Sequence, residues 1–268
     1  MVVRTDSPSL ARQRQTIFKL LLDDHYGDCL APCSQRCPAG IDIQGYIALI
    51  ARGQYLEATR LIRRTNPLPL TCGRVCPHPC ESQCRRTRVD QPVNINHLKR
   101  FASDMASSEI GRLNPAPASP SGLWVALVGG GPASLSAAYF LALLGHSPVI
   151  FEAMPQLGGM LRYGIPQYRL PKQVLDREIE AILRAGVQAR TGLAWGRDFT
   201  LQSLLDQGFA AVFLGIGAWI NHRLGLEGED GQGVWPGTVF LNQVALGDAP
   251  DFAGQRVAVV GGGNTAMD

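Results

Sequence analysis

The distribution of cysteine constrains the fold of this chain more than any other sequence feature. All seven cysteines lie between Cys29 and Cys84, and the residues after Cys84 contain none. The N-terminus lacks the apolar core of a signal peptide, and an odd number of cysteines without a secretory signal argues against a disulfide framework. Cysteines grouped in this way predict a metal-bearing module in the first third of the chain.

The spacing of the cysteines favours iron–sulfur clusters over structural zinc. In the stretch HYGDCLAPCSQRCPAG, three residues separate Cys29 from Cys33 and Cys33 from Cys37, whereas zinc knuckles favour gaps of two. A Cys-Pro pair such as Cys37-Pro38 is typical of ferredoxins, in which that thiolate binds a different cluster from its neighbours. The Cys-Pro pair therefore gives a physical basis for Cys37 to bind a different cluster from Cys29 and Cys33.

A count of ligands draws attention to His25, which stands four residues before Cys29. If the module holds two [4Fe–4S] clusters, as the family resemblance given below implies, they need about eight ligands, and seven cysteines cannot supply them. His25 is therefore a candidate ligand. The alternative is that His25 bonds a loop carbonyl, and that water or another side chain fills the eighth position.

Helical patterns surround the cysteines. Apolar residues at helical spacing predict a helix over 5–24, two short amphipathic helices over about 41–52 and 54–65, and a further helix near 94–108. The Pro- and Cys-rich stretch 66–84 is predicted to be irregular. The first part of the chain is thus expected to be a helical module built around its cysteines.

The pattern changes after the Pro/Ser/Gly-rich segment 111–122, which we predict to be a linker between two domains. Predicted strands then alternate with helices, which is typical of a parallel α/β sheet. A composition of 46% hydrophobic and only 18% charged residues suits such a buried sheet. Strands are expected at 123–128, 148–152, 187–190, 210–216 and in the RVAVV of 256–260, and helices at 132–145 and from Pro171 to about 185.

The stretch VALVGGGPASLSAAYF indicates a nucleotide site. Gly129 permits a tight turn after the strand, and Gly131 lets the backbone approach a pyrophosphate, which the helix N-terminus then binds. Ser134 takes the third position, where Gly or Ala is usual, and is small enough for close contact between helix and strand. Glu152 ends the next strand, where a carboxylate accepts hydrogen bonds from a ribose. The predicted site comprises Gly129, Gly131, Pro132, Ala133, Ser134 and Glu152; the alternative is a turn that serves packing only.

The stretch VAVVGGGNTAMD repeats this device with Gly261, Gly263 and Ala266. Asp268 ends the sequence about one turn into the expected helix, so we expect the chain to be a fragment that stops at the start of a second nucleotide-binding domain. The expected organisation is a lead-in helix (1–24), a helical iron–sulfur module (25–110), a linker (111–122), an incomplete nucleotide-binding domain (123–253) and the start of a second nucleotide-binding domain (254–268).

Several classes of function are disfavoured. No apolar run is long enough to span a bilayer, which together with the missing signal peptide predicts a cytoplasmic protein without membrane insertion. The net charge is only +3, and no basic groove interleaved with aromatic residues is visible, which argues against nucleic acid binding. No Ser/His/Asp triad or paired carboxylate is evident, so no catalytic side chain is assigned.

The motifs together resemble the glutamate synthase small-subunit family and the N-terminal half of dihydropyrimidine dehydrogenase. The resemblance covers nearly all of 25–268 and rests on CPAGIDIQGYI, NPLPLTCGRVCPHPCESQC, INHLKRF, VGGGPASLSAA, GGMLRYGIPQYRLPK and VVGGGNTAMD. It implies two [4Fe–4S] clusters, FAD at the first glycine turn and NADPH at the second. It also implies that the flavin lies along Gly158, Gly159, Arg162, Gly164, Ile165 and Pro166, and near Gly217, where Gly-Ile-Gly replaces the usual Ala-Thr-Gly.

The resemblance also implies how the cluster ligands are shared. One cluster would take Cys29, Cys33 and Cys84, and HYGDC resembles the segment of respiratory NADH dehydrogenase and hydrogenase iron–sulfur subunits in which a histidine, here His25, is the fourth ligand. The other would take Cys37, Cys76 and Cys80. Its fourth ligand is open, because the family position falls at Lys99, and relatives often lack a thiol at Cys72 or leave it unused.

We therefore expect an electron-transfer oxidoreductase, or a fragment of one that is inactive alone. A nicotinamide would exchange a hydride with FAD, which would exchange single electrons with the clusters and with a partner subunit or domain. One alternative is the NADPH-dependent glutamate synthase small subunit itself. Another is a non-catalytic cluster and flavin module that holds together a complex resembling formate dehydrogenase or hydrogenase.

Overall fold

The computed structural model describes residues 4–23 and 30–268, and its N-terminal part is helical. Ser7 accepts a hydrogen bond from Leu10 N at 3.2 Å through its Oγ, which caps the first helix as an N-cap serine does. The helices of this part are α1 (Pro8–Asp23), α2 (Pro32–Arg36), α3 (Ile43–Ala51), α4 (Tyr55–Arg63), α5 (Pro69–Val75) and α6 (Ile95–Met105), with 3-10 turns at Glu81–Gln83, Arg85–Arg88 and Ile110–Leu113.

The core of the helical part lies between α3, α4 and α6. Tyr46, Ile62 and Ala102 are fully buried there, and Cys80 packs into the same apolar core. Gly53 has a φ of +72° and makes the turn between α3 and α4 at the residue where the sequence predicted the break. The helices expected over 41–52, 54–65 and 94–108 therefore form.

The prediction that 66–84 is irregular is wrong in part. The helix α5 and the 3-10 turn at Glu81–Gln83 both lie within it. Proline is compatible with the first turn of a helix, because its missing N–H would have no partner there and its φ is already helical. Pro69 stands at that position, so α5 begins at a proline and ends immediately before Cys76.

The second part is a parallel sheet covered by helices, as the sequence predicted. The strand order is β3-β2-β1-β4, and each pair is parallel, with Leu127 of β1 opposite Ile150 of β2 and Phe213 of β4. The elements are β1 (Trp124–Val128), α7 (Pro132–Leu143), β2 (Ser147–Glu152), α8 (Met160–Tyr163), α9 (Lys172–Leu183), β3 (Gln188–Thr191), α10 (Leu201–Asp206), β4 (Ala211–Leu214), α11 (Gly237–Leu246) and α12 (Asn264–Met267).

The strand predicted for 256–260 does not form. These residues are not in a strand, and Val257, Val259 and Val260 are exposed. A strand needs a hydrogen-bonded neighbour, and no other described segment pairs with this one. No helix within the described residues has both the length and the apolar character needed to cross a bilayer.

The start of the predicted linker is packed rather than free. Ile110 and Leu113 are buried, and Asn114 lies between the two parts of the chain. Its Oδ1 accepts from Arg63 Nη2 at 2.5 Å, and its Nδ2 donates to Ala181 O of α9 at 2.7 Å. The fully buried guanidinium of Arg63 also lies 5.2 Å from the ring centroid of Tyr139 on α7. The division of the chain at 111–122 stays a prediction, but α4, α7 and α9 meet here.

A buried carboxylate joins α9 to the first turn of α5. Glu178 is fully buried, and its two oxygens accept from Leu70 N at 2.5 Å and from Thr71 N at 2.8 Å. These N–H groups have no partner within the helix, and the positive end of a helix favours a carboxylate. Glu178 of the α/β part therefore supports the helix that ends at Cys76.

We expect the stability of the folded protein to depend on pH through Glu178. Burial raises the pKa of Glu178 to about 7 from 4.5, against the opposing effect of its hydrogen bonds with Thr71 and Leu70. The folded state then binds this proton more tightly than the unfolded chain, so stability is full below the ordinary pKa and falls by up to roughly 3 kcal/mol as the pH rises through about 7.

Denaturant midpoints measured between pH 4.5 and 8.5 would check this prediction. Glu178→Gln is expected to remove most of the decline, because the amide does not titrate. Parallel profiles for the two proteins would show that other groups cause the dependence.

Candidate functional site

Three of the predicted thiol ligands line one cavity in the helical part. Cys37 follows α2, Cys76 follows α5, and Cys80 precedes a 3-10 turn. The cavity is otherwise mostly apolar, and α6 contributes two polar residues to its wall. Its lining residues are Cys37, Pro38, Ile41, Ile43, Tyr46, Cys76, Pro79, Cys80, Ile95, Asn96 and Lys99. The structure therefore brings together the three cysteines that the resemblance implied for one cluster.

The electrostatics of this cavity favour a cationic guest. Burial raises the pKa of Cys80 to about 11, and the nearby thiols of Cys37 and Cys76 contribute to the rise. Burial and the thiols of Cys80, Cys37 and Cys33 also raise the pKa of Tyr46. The Tyr46 hydroxyl donates to Ile95 O at 2.8 Å. Thiolates packed this closely repel one another, and a bound iron–sulfur core, which carries positive charge, relieves that repulsion.

Cysteine sulfurs at and near the cavity accept hydrogen bonds from the backbone. The thiols of Cys37, Cys76 and Cys80 stand on the walls of this cavity, and within residues 4–23 and 30–268 no three His, Cys, Asp or Glu side chains surround a point that one metal ion could occupy. Backbone N–H groups already point at sulfur: His78 N donates to Cys76 Sγ at 3.3 Å, and Val93 N donates to Cys84 Sγ at 3.5 Å. Such bonds help to set cluster potentials.

The other predicted ligand set is only partly described. Cys33 lies on α2, and Cys84 lies between two 3-10 turns, one of which contacts α2. His25 and Cys29 fall outside the described residues. The assignment of these four residues to one cluster stays a prediction.

Cys72 does not line the thiol cavity. Its Sγ donates to Asn66 Oδ1 at 3.7 Å, and its side chain packs against the apolar core of the α/β part. Burial raises its pKa, which keeps this thiol protonated near neutral pH. The structure therefore favours a packing role for Cys72.

The first glycine turn has the close backbone contacts that a dinucleotide site needs. Gly129 has a φ of +96°, and a Cβ there would lie 2.5 Å from Gly215 O. A Cβ on Gly159 would lie 2.7 Å from Gly131 Cα, so the segment of the predicted flavin contacts packs directly on the turn. Gly131 caps α7 without any side-chain bond, and Pro132 and Ala133 are exposed. The helix N-terminus is thus available to an anion.

Ser134 and Glu152 are buried side chains that contact the first glycine turn or the strand end beside it. Ser134 is fully buried and so close to β4 that a Cβ on Gly215 would lie 2.2 Å from its Oγ. Glu152 accepts from Gly130 N through one oxygen and from Met154 N at 2.7 Å through the other. The sequence predicted only a ribose contact for Glu152. The structure shows that Glu152 bonds the backbone of the turn, and its contact with a ribose stays a prediction. Each carboxylate oxygen can accept a second hydrogen bond.

A cleft of about 880 Å³ lies beside the predicted flavin segment. Arg162, Gly164, Ile165 and Pro166 line it, together with residues of α11. Arg162 is held in place, because its Nε donates to Leu157 O at 2.6 Å and its Nη2 pairs with Asp176. Gly158 N donates to Gly130 O at 2.8 Å, and Gly217, with a φ of +75°, follows the Gly215 that contacts the first turn.

Sequence reasoning assigned no role to Lys172, although it lies in the motif GGMLRYGIPQYRLPK. Its Nζ donates to Leu161 O at 3.0 Å and to Ile165 O at 2.5 Å beside the cleft. Burial lowers its pKa to about 8, and the nearby Arg162 adds to the effect. Lys172 therefore connects α8, through Leu161, to the cleft residue Ile165.

The second glycine turn is separate from the first. Gly261 has a φ of +125°, Gly263 caps α12, and a Cβ on Gly261 would lie 3.8 Å from that of Ala266. Arg169 Nη1 donates to Asn264 Oδ1 at 3.3 Å and connects this turn to the loop after α8. The first turn thus adjoins the residues just before α8, and the second adjoins the loop after it.

Comparison with known families agrees with the order of the two parts. Residues 27–110 match the family described as dihydropyrimidine dehydrogenase domain II, 4Fe-4S cluster. Residues 124–268 match the pyridine nucleotide-disulphide oxidoreductase family. An iron–sulfur domain is therefore followed by a domain of flavin- and nicotinamide-dependent enzymes, as the motifs indicated.

Curated relatives share most of this chain. It is 46% identical over 243 residues to the NADPH-Fe(3+) oxidoreductase subunit beta of Geobacter sulfurreducens, which covers 89% of this chain and 36% of the relative. It is 44% identical over 261 residues to the NADP(+)-dependent formate dehydrogenase subunit beta of Moorella thermoacetica, with 89% and 37% covered. The small chain of Escherichia coli glutamate synthase [NADPH] is 36% identical over 248 residues, with 88% and 52% covered. The chain thus spans about a third to a half of their length.

Proposed function

Because the chain belongs to the pyridine nucleotide-disulphide oxidoreductase family, we propose that it transfers electrons between NADPH, FAD and two [4Fe–4S] clusters. The observation that supports this most is the packing of the thiol cavity against the α/β part. Helix α5, which ends at Cys76, contacts α9 and receives Glu178 at its first turn. This contact joins the helical part to the α/β part, and electron transfer needs the cluster and the flavin to be held in a fixed relation.

The chain's own residues bind and orient the cofactors. The turn at Gly129 and Gly131 binds the flavin pyrophosphate, Glu152 binds the ribose, and the cleft beside Arg162 holds the ring system. The turn at Gly261 and Gly263 binds the nicotinamide nucleotide. When bound, the cofactors supply hydride exchange and single-electron transfer.

The final electron acceptor or donor belongs to a partner subunit. The relatives with the higher identities are both named as beta subunits, which favours this role over that of the glutamate synthase small chain. The choice of NADPH over NADH rests on the names of the same relatives.

An anaerobic titration of the full-length protein with NADPH tests the proposal. We expect the flavin absorbance and the iron–sulfur absorbance to decrease together. Gly261→Ala is the control, because an alanine is strained at a φ of +125°. In this variant NADPH should fail to reduce the flavin and the clusters, while dithionite should still reduce both. A flavin that is reduced while the clusters stay oxidised would favour the alternative in which the clusters only hold an assembly together.

Flavin retention should depend on Glu152. Glu152→Ala is expected to weaken FAD binding by about 1.5–3 kcal/mol, or roughly 10- to 150-fold, because the ribose loses a charged acceptor and Gly130 N loses its partner. The FAD-to-protein ratio after gel filtration measures the effect. Glu180→Ala, which changes an exposed glutamate of α9, serves as the control. Equal flavin content in both variants would contradict the placement.

A further inference from the structure

Asn96 lines the thiol cavity and has a side-chain oxygen without a hydrogen-bond partner. The residue is 6% exposed and lines the cavity with Cys37, Cys76 and Cys80. Its Oδ1 is buried and has no hydrogen-bond partner. A buried carbonyl oxygen without a partner is costly, unless something absent from the bare polypeptide satisfies it.

The Asn96 amide is held in one orientation by its neighbours. Its Nδ2 donates to Gly73 O of α5 at 3.1 Å, and its backbone N donates to Glu81 Oε1 at 2.9 Å. Gly73 lies on the helix that ends at Cys76, and Glu81 directly follows Cys80. Two of the cavity thiols and the amide are therefore fixed relative to one another before any cluster binds, as a ligand set requires.

Lys99 is on the same face of α6, one turn further along the helix. Its side chain is 6% exposed and lines the same cavity, and no Asp or Glu of the described residues forms an ion pair with it. A protonated lysine has no lone pair and cannot bind iron. An ammonium buried beside several thiols does supply positive charge against theirs.

We propose that Asn96 Oδ1 is the fourth ligand of the cluster held by Cys37, Cys76 and Cys80, and that Lys99 balances its charge. This inference rests on the proposed function, because it assumes the second cluster. Three thiolates on a [4Fe–4S]²⁺ core leave a charge of about −1, which one ammonium neutralises. A neutral oxygen ligand in place of a thiolate raises the cluster potential and holds its iron less firmly.

Three variants of the full-length holoprotein test the assignment. Asn96→Leu keeps the branched shape of the side chain and removes the oxygen. Asn96→Asp keeps an oxygen, and Asn94→Leu makes the same change at an exposed position two residues away. Ferricyanide is the oxidant: it accepts the one electron released when [4Fe–4S]²⁺ becomes [3Fe–4S]⁺ and Fe²⁺. We expect Asn96→Leu to lose one iron from the cluster held by Cys37, Cys76 and Cys80 about 10- to 100-fold faster than Asn94→Leu does. The Asn96→Leu protein should then show the EPR signal of a three-iron cluster.

Asn96→Asp should retain all four irons of the cluster, with a lower reduction potential than the unchanged protein. Equal iron loss and equal potentials in Asn96→Leu and Asn94→Leu would overturn the assignment. If the unchanged protein contains no iron–sulfur cluster, the proposed function fails as well. Two intact clusters that no Asn96 variant affects would refute the Asn96 assignment alone.

A measurement on the unchanged sequence covers the case in which Asn96→Leu does not fold. Protein labelled with ¹³C at the asparagine side-chain carbonyl should show a hyperfine coupling to the reduced cluster. Asn94→Leu should keep the coupling, and Asn96→Asp should lose it. An absent coupling in the labelled protein would also overturn the assignment.

Discussion

Replacing Cys80 with alanine is expected to halve the iron and sulfide of the reconstituted holoprotein, from about eight of each per chain to about four. Cys80 is 7% exposed and lines the cavity with Cys37 and Cys76, so its loss leaves two thiols, too few to hold a cubane cluster. The other cluster should persist, because its predicted thiols come from Cys29, Cys33 and Cys84. Iron and acid-labile sulfide analysis after anaerobic reconstitution gives the result directly.

The matched control is Cys72→Ala, which removes a thiol just upstream of the same region. Its Sγ faces Asn66 and the α/β core instead of the cavity, so we expect both clusters to remain. If Cys72→Ala loses iron as Cys80→Ala does, Cys72 is a ligand and our placement is wrong. Stoichiometric zinc without sulfide in the unchanged protein would contradict the iron–sulfur assignment altogether.

Replacing Glu178 with alanine is expected to destabilise the fold by about 2–6 kcal/mol at pH 7, because two buried backbone donors, Leu70 N and Thr71 N, lose their acceptor at about 1–3 kcal/mol each. The change also leaves a cavity between α5 and α9. Since α5 ends at Cys76, we expect slower electron transfer from the flavin to the clusters as well. Denaturant unfolding and stopped-flow reduction by NADPH measure the two effects.

Glu180→Ala on the same helix is the control for this variant. Glu180 is exposed and forms only a 3.4 Å pair with Arg184, so its removal should change stability by no more than about 0.5 kcal/mol. Comparable losses in the two variants would show that the charge of α9 matters and that the bond to α5 does not.

The features that sequence reasoning predicted well are those with a local cause. Gly53 breaks the helical pattern and does make a turn, and the strand before Gly129 runs into a helix at Pro132 as its motif indicates. The parallel sheet follows from the alternation of strands and helices. The stretch 66–84 was predicted poorly, because a high content of proline indicates irregular structure, yet a proline such as Pro69 is also a good first residue of a helix.

The sequence by itself determined the kind of chemistry: clustered thiols for iron and sulfur, two glycine turns for nucleotides, and their order along the chain. Only the tertiary structure decided which groups meet. Glu178 and Leu70 are 108 residues apart, and Glu178 belongs to no motif, so their bond could not be predicted from spacing. Asn96 looks like an ordinary polar helix residue until packing buries its oxygen beside three thiols. Local patterns record the backbone's own preferences, whereas burial and partner choice depend on contacts between distant segments, which arise only on folding.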